Sequence, residues 1–544
     1  MSTMIEPINT NHGTKEPIKK IQTLGSVRQR DEHTNEIILI PTPSQDPNDP
    51  LNWSKPRKYY MAILICLAMF MCNFLAAGPS VAILETALEF FPPIAGPDGI
   101  SAAIAKTAYF FTTTSLLQGT GNLVWMPLVN KYGRRPIYIA SYTLYFAVAL
   151  WLSFTKVYGS FLAARILMGL ASGAAETMAP LSIADVFFLH ERGAVMAMYT
   201  SALSCGVAGG MIIAGLITIH NTWRTIYYVG AALIGTLLIL VIFTFPETSY
   251  IRDITPTTSS SETGVSDEKL GTTSIELAEN GSRTIPKCKT YLQNLKLFSG
   301  IYTNESLLDL FLRPIALVVL PPVLWGSLVM SVTIGFLVAV SSNVAPAFDT
   351  AYGFVAWQTG LCFISAIIGS LIGIFAGGHL SDKVTDYFTK RNGGLREPEM
   401  RLPAIAISLI TTPLGLILFG VGIQNKLHWI CPTIGLGLLN FSIVQATNVS
   451  LVYTIDCYRP IAGEVTVTSM ALKSCFGFLL SFYTNPWIEK VGYLNAYGTM
   501  AGIAAAILLF AIPIYIFGKR IRHATWHWSV VKYVHWDDDR EVGE

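Results

Sequence analysis

Runs of about 20 mostly apolar residues recur along this 544-residue chain, and each has the length a helix needs to cross the roughly 30 Å hydrocarbon core of a bilayer. Twelve can be placed, near 60–81, 105–128, 136–155, 158–180, 194–218 and 225–245, and again near 315–341, 357–378, 402–422, 429–452, 463–486 and 495–517. Apolar residues make up 52% of the chain and charged ones only 13%, too little charge to cover the surface of a soluble protein of this size. The chain is therefore expected to be an all-α membrane protein with twelve transmembrane helices.

Lys and Arg set the orientation, because loops facing the cytoplasm hold the positive excess. Thirty of the 37 fall in the two tails and the even-numbered loops, whereas the odd-numbered loops hold only Lys106, Lys156, Arg224, Lys426 and Lys490 and the spans Arg165 and Lys473. Both termini are thus expected in the cytoplasm. Residues 1–58 read as a polar tail without an apolar signal-peptide core, and residues 59–246 as a first six-helix bundle. A polar linker at 247–313 contains Thr257-Thr258-Ser259-Ser260-Ser261-Glu262, a composition that cannot bury a core. Residues 314–518 form a second bundle, and 519–544 a second tail. Six spans, a long inner loop and six more spans suggest two halves related by an axis along the membrane normal. Asn130-Lys131 after span two and Asp382-Lys383 after span eight are weak echoes of such a duplication. The eight Cys lie mostly inside spans and form no pair in an outer loop, so neither disulfides nor a metal framework is expected.

The turn after span two, Pro127 to Pro136, packs Gly133, Arg134 and Arg135 into a tight reversal and resembles the signature loop of the major facilitator superfamily. Arg165-Ile166-Leu167-Met168-Gly169 with Gly173 is similar to that family's fourth-span arginine motif. Gly206, Gly209, Gly210 and Gly215 in span five look like the glycine-rich motif of its antiporter branch. Trp223-Arg224 and Phe245-Pro246-Glu247-Thr248 flank span six as in the family, and the tail from Asp46 to Pro56 resembles that of fungal 12-span drug:proton antiporters. Two departures stand out. Asn130 replaces the loop's usual aspartate, and Cys205-Gly206 stand where the antiporter motif has Gly-Pro. The resemblance implies the major facilitator fold, two pseudo-symmetric six-helix bundles. It also implies a monomeric secondary transporter in the plasma membrane that exchanges small organic molecules for protons.

Loop arginines at the inner rim can pair with helix ends and carboxylates in one conformation and release them in another, the behaviour of a gate. The gate set expected on this basis is Asn130, Gly133, Arg134, Arg135, Asp185, Arg192, Asp382, Lys383 and Asp456. Charges within the spans are costly, at about 2.5–3.5 kcal/mol or more, so they usually face a cavity with a partner or a task. Arg165 and Glu176 are eleven residues apart on one face of span four, and Lys473 lies near the midplane of span eleven above Ser469 and Thr466. Glu464 falls on the opposite face of that helix and is a poor partner for the lysine. Asn73, Gln118, Asn122, Asn440, Gln445 and Asn448 complete the set expected to handle substrate or protons, although such amides also join transmembrane helices.

No phosphate-cradling loop, zinc-protease helix or cofactor fingerprint occurs, so no enzyme, cofactor, metal or nucleic-acid partner is expected and the energy must come from a gradient. The leading expectation is export of drugs, toxins or secondary metabolites. The nearest rival is proton-coupled uptake of polyamines or other organic cations, against which Arg165 and Lys473 at cavity depth argue by like-charge repulsion. A transporter-like nutrient sensor signalling through its tails is a third reading. Substrate identity depends on cavity shape, which a sequence does not give.

Overall fold

The computed structural model describes residues 27–28, 39–91, 103–104, 106–250, 288–303, 305–526 and 528. The segment Thr257–Glu262 and most of both tails lie outside them. Eleven described helical segments are long and apolar enough to cross a membrane. In the first half these are span one (Lys55–Phe90), three (Arg134–Phe154), four (Tyr158–Val186), five (Leu189–Ile217) and six (Arg224–Thr244). The second half has spans seven (Pro321–Tyr352), eight (Ala356–Arg391), nine (Pro398–Gln424), ten (Ile430–Cys457), eleven (Ala462–Val491) and twelve (Tyr493–Thr525). Span two is built from two helices, Tyr109–Thr120 and Asn122–Tyr132, and completes the twelve.

The helices overrun the apolar runs at most ends. Span four continues past residue 180 to Val186, and span eight past 378 to Arg391 through a π-helical turn at Phe375–Leu380. Two sequence boundaries need correction. Residues 315–320, read as the start of span seven, belong to a separate helix, Leu307–Ala316, and a 3-10 turn, Leu317–Val319; the span itself begins at Pro321, a favoured first helical residue. Residues 519–525, read as tail, continue span twelve, where Arg522 is fully buried.

Spans one and five, two and four, three and four, and three and six pack together in the first half; seven and eleven, eight and ten, and nine with ten and twelve do so in the second. The halves meet along two seams. Span two, backed by span four, meets span eleven on one side, and span five meets spans eight and ten on the other. Burial is inverted relative to a water-soluble protein: Ile239, Phe243, Leu371, Phe375, Ile410 and Ile516 point outward, while Gln118, Glu176, Asn440 and Lys473 are buried at the seams. Lipid tails solvate apolar side chains, so the interior is where polar groups find partners.

The face carrying the linker and the start of span one, here the terminus face, is braced by ion pairs. Arg522 donates from Nε and Nη2 to the two oxygens of Glu399, both at 2.8 Å, joining the end of span twelve to the start of span nine. Lys519 adds a bond to Glu397 at 2.7 Å. Removing one member of a buried pair strands the other charge, so Glu399→Ala should cost ~3–5 kcal/mol. A markedly lower thermal-unfolding midpoint of the solubilised protein checks this; an unchanged midpoint would mean that Arg522 finds another acceptor.

Candidate functional site

Glu176 and Lys473 face each other across the seam between the halves. Glu176 is ten residues from the terminus-face end of span four at Val186, and Lys473 is eleven from the corresponding end of span eleven at Ala462. At 1.5 Å per residue both lie about 15 Å deep, in the middle of the bilayer. Lys473 Nζ donates to Glu176 Oε1 at 2.9 Å and Oε2 at 2.8 Å, and both residues are buried. Gln118 of span two backs the carboxylate, its Nε2 lying 3.0 Å from Glu176 Oε1, 3.2 Å from Asn73 Oδ1 and 3.0 Å from Cys72 Sγ. Tyr199 of span five donates to the Glu176 backbone carbonyl at 3.0 Å.

This cluster borders a cavity with about 630 Å³ of empty space, part of it open to solvent. Its other walls are largely apolar, including Phe111, Leu203 and Val338, with hydroxyls from Ser115, Ser341 and Ser474. The buried Ser341 Oγ has no hydrogen-bond partner among the described residues. Glu176 and Lys473 are the only charged residues in the described lining. The site is a mostly apolar chamber with one acid and one base, a usual design for orienting a small molecule.

Span four therefore splits its two charges. Glu176 and Lys473, with Asn73 and Gln118, come together as a polar wall, but Arg165 does not line the cavity. Its Nη1 donates to the Leu75 carbonyl at 2.7 Å and its Nη2 to Ala76 at 3.1 Å, and the guanidinium lies over the Phe110 ring, 4.6 Å from its centroid. Span one breaks there: its α-helix ends at Ala77 and a 3-10 turn runs over Gly78–Ala82. Pro79 has no N–H to give to Leu75, so the arginine supplies the donor. The expectation that Arg165 handles substrate is not supported by this geometry, in which the guanidinium is committed to the carbonyls where the helix of span one breaks.

The remaining amides also join helices rather than line this cavity. Asn122 accepts from Thr177 at 3.0 Å and donates to Gln118 O. Asn440 accepts from Ser204 across the seam at 2.5 Å. Gln445 donates to Ala404 O and accepts from Ser408. Asn448 donates to Gly377 O at 2.7 Å, within the π-helical turn of span eight, and reaches Gly193 O of span five at 3.4 Å. The hydroxyls below Lys473 are likewise committed: Ser469 to Val465 O and to Ser327 of span seven, Thr466 to Ala462 O.

At the terminus face, the loop arginines brace the first half internally. Gly133 turns the chain at a φ of 94°, where a side chain would be strained. Arg134 Nε pairs with Asp185 Oδ2 at 3.0 Å. Arg135 donates to the carbonyls of Ile242 and Phe245, at the end of span six, and of Leu295 in the linker. Glu247 was missed as a gate residue; it accepts the backbone N–H groups of Arg134 at 2.9 Å and Arg135 at 3.1 Å, an anion at the start of span three. Arg192 donates to Ala184 O and Phe187 O, covering the C-terminal end of span four.

The crossing between halves is made instead by the second-half copy of the loop. Asp382 pairs with Arg401 at 2.8 Å and lies against Gly193 near the start of span five, where a Cβ would fall 2.2 Å from its Oδ1. Asp456 sits 3.6 Å from Arg396, whose guanidinium burial pushes down to about 10 against the pull of that carboxylate. Asn130 is half-buried and Lys383 is exposed.

Two helical halves, a central chamber and contacts closing the terminus face define a membrane carrier. The Major Facilitator Superfamily model matches residues 61–456, and the chain belongs to that superfamily. It is 27% identical to Protein HOL1 of Saccharomyces cerevisiae, over 90% of this chain and 91% of that protein. It is 26% identical to the uncharacterised MFS-type transporter C1271.10c of Schizosaccharomyces pombe, over 92% of this chain and 89% of the relative. With the MFS-type transporter penM of Penicillium rubens it shares 26% identity over 88% of each. Among solved structures, the proton:xylose symporter XylE superposes with a TM-score of 0.58 at 14% identity, over 85% of this chain and 97% of that one. The human organic anion transporter MFSD10 superposes with a TM-score of 0.54 at 14% identity, over 84% and 99%. At such identities the structural likeness concerns the fold.

Arg165→Ala would leave the Leu75 and Ala76 carbonyls without their donors, at about 1–3 kcal/mol for each buried group. The expected result is a lowered unfolding midpoint together with reduced transport. Reduced transport at an unchanged midpoint would return Arg165 to a direct role in handling solute.

Proposed function

We propose that the chain is a secondary transporter of the plasma membrane, monomeric and with cytoplasmic termini, that exports small organic molecules in exchange for protons. The observation that carries this reading is the Glu176–Lys473 pair, which joins the two halves at mid-membrane depth and borders the chamber. In a low-dielectric site the pair is tolerable because its charges cancel. Any event that removes one charge must be balanced by another. A cationic group bound to Glu176 calls for loss of a proton from Lys473, which is exchange, whereas an anionic group bound to Lys473 calls for a proton on Glu176, which would carry solute and proton together. Substrate charge and proton movement are thereby linked one to one. The neighbouring titratable groups are Cys72 of span one and Tyr199 of span five.

Uptake of organic cations remains the second reading, and two features favour it more than the sequence did. Arg165 does not line the chamber, so only Lys473 brings positive charge there, and Glu176 neutralises it. The amide nitrogens of Asn73 and Gln118 are also committed, to Met69 O at 3.2 Å and to the Glu176 cluster, so these donors are already engaged when a solute arrives. Labelled substrate in oriented vesicles with an imposed pH gradient separates the two: accumulation driven outward supports export, and accumulation driven inward supports uptake.

Glu176→Gln or Lys473→Met alone strands one buried charge, which should cost ~3–5 kcal/mol of stability and abolish proton-driven flux. The double variant restores a neutral chamber. It should recover the thermal stability lost by either single change without recovering proton-driven flux in proteoliposomes. Proton-driven transport by the double variant would refute the coupling role.

A further inference from the structure

The segment joining spans six and seven presents a surface of its own. Its inward side is tied to the terminus face: Tyr302 N–H donates to Lys131 O at 3.0 Å, Arg135 Nη2 to Leu295 O at 3.1 Å, and Thr468 of span eleven to Pro314 O at 2.6 Å. In the helix Leu307–Ala316, Leu310 is buried and Arg313 is held by both oxygens of Glu305, at 2.7 and 3.1 Å. The outward side should be polar if it faced water. Instead Leu308 is 72% exposed, Leu312 45%, Ile315 50% and Val319 57%, a spacing that puts them along one stripe. Upstream, Leu292 at 78%, Phe298 at 53% and Ile301 at 59% extend the apolar surface.

This surface is continuous with the lipid-facing side of the bundle. The Tyr291 hydroxyl donates to the Phe243 carbonyl, and Phe243 and Ile239 are the outward residues of span six. Lys289 and Lys296, both exposed, flank the start of the apolar stretch. A large exposed apolar patch with two lysines at its upstream end fits the boundary between acyl chains and anionic headgroups.

We propose that residues 291–319 form an interfacial element whose apolar face dips into the leaflet on the terminus face, with Lys289 and Lys296 engaging the phosphates of anionic lipids. The segment then acts as a float that keeps the covalent link between the halves at a fixed depth while the bundles move.

The test uses the full chain in nanodiscs of phosphatidylcholine with or without phosphatidylserine. A nitroxide is placed at Leu308→Cys, and separately at Leu312→Cys, in a Cys288→Ser background, with the unsubstituted background labelled as control. Insertion predicts a label reached by oxygen and lost to a water-soluble nickel chelate. A label open to nickel overturns the proposal, and so does one shielded from both probes, which would mean that residues 251–287 or another protein cover the face. Lys289→Glu combined with Lys296→Glu should abolish enrichment of phosphatidylserine among lipids that copurify with the protein, leaving the Leu308 label inserted. Undiminished enrichment would overturn the headgroup assignment.

Discussion

A charge in the bilayer interior is stable only with a counter-charge or hydrogen-bond partners of the opposite polarity, and this chain meets that constraint differently at each of its central ionisable positions. Glu176 and Lys473 satisfy each other across the seam between halves, with Gln118 supporting the carboxylate. Arg165 is held within one half by the Leu75 carbonyl, which Pro79 leaves free, and by the carbonyl of Ala76. The first arrangement changes whenever the halves separate; the second does not. Position relative to the seam, more than charge, distinguishes a group suited to coupling from one that holds a helix.

The twelve spans, the two halves and the buried mid-span position of Lys473 were legible in the sequence because each rests on local properties: apolar length, a polar interval, one lysine far from any interface. The partner was not legible. Span four was ended at residue 180, where polar character rises, which put Glu176 near an interface; the helix in fact reaches Val186 and carries Glu176 to the depth of Lys473. Counting depth from the true helix ends would have matched the two. Asn440, Gln445 and Asn448 were ambiguous for a different reason, since an amide that binds a solute and one that binds a neighbouring carbonyl have the same sequence signature. Only the packing of spans five, eight, nine and ten around them resolves it.

The linker shows the same limit from the opposite direction. Its polar composition hides a short helix with a buried Leu310 and an outward apolar stripe, because averaging over about 65 residues erases a pattern of ten. The departure at Asn130 also has a structural setting. The second-half loop keeps Asp382, and that is the carboxylate lying against span five, on the other half. Arg134, which would face a first-half aspartate in the family pattern, pairs with Asp185.

The two seams are therefore chemically unequal. Between spans five, eight and ten the halves are joined by neutral hydrogen bonds, Ser204 to Asn440 and to Ser370, and by Asp382 against the start of span five. Between spans two, four and eleven they are joined by the buried ion pair. Neutral hydrogen bonds exchange readily for water or solute and depend little on protonation, whereas an ion pair is opened by a proton or by a charged ligand and by little else. On the proposed reading, solute entering the chamber beside Glu176 and Lys473 acts on the seam that its charge can release, and the other seam follows.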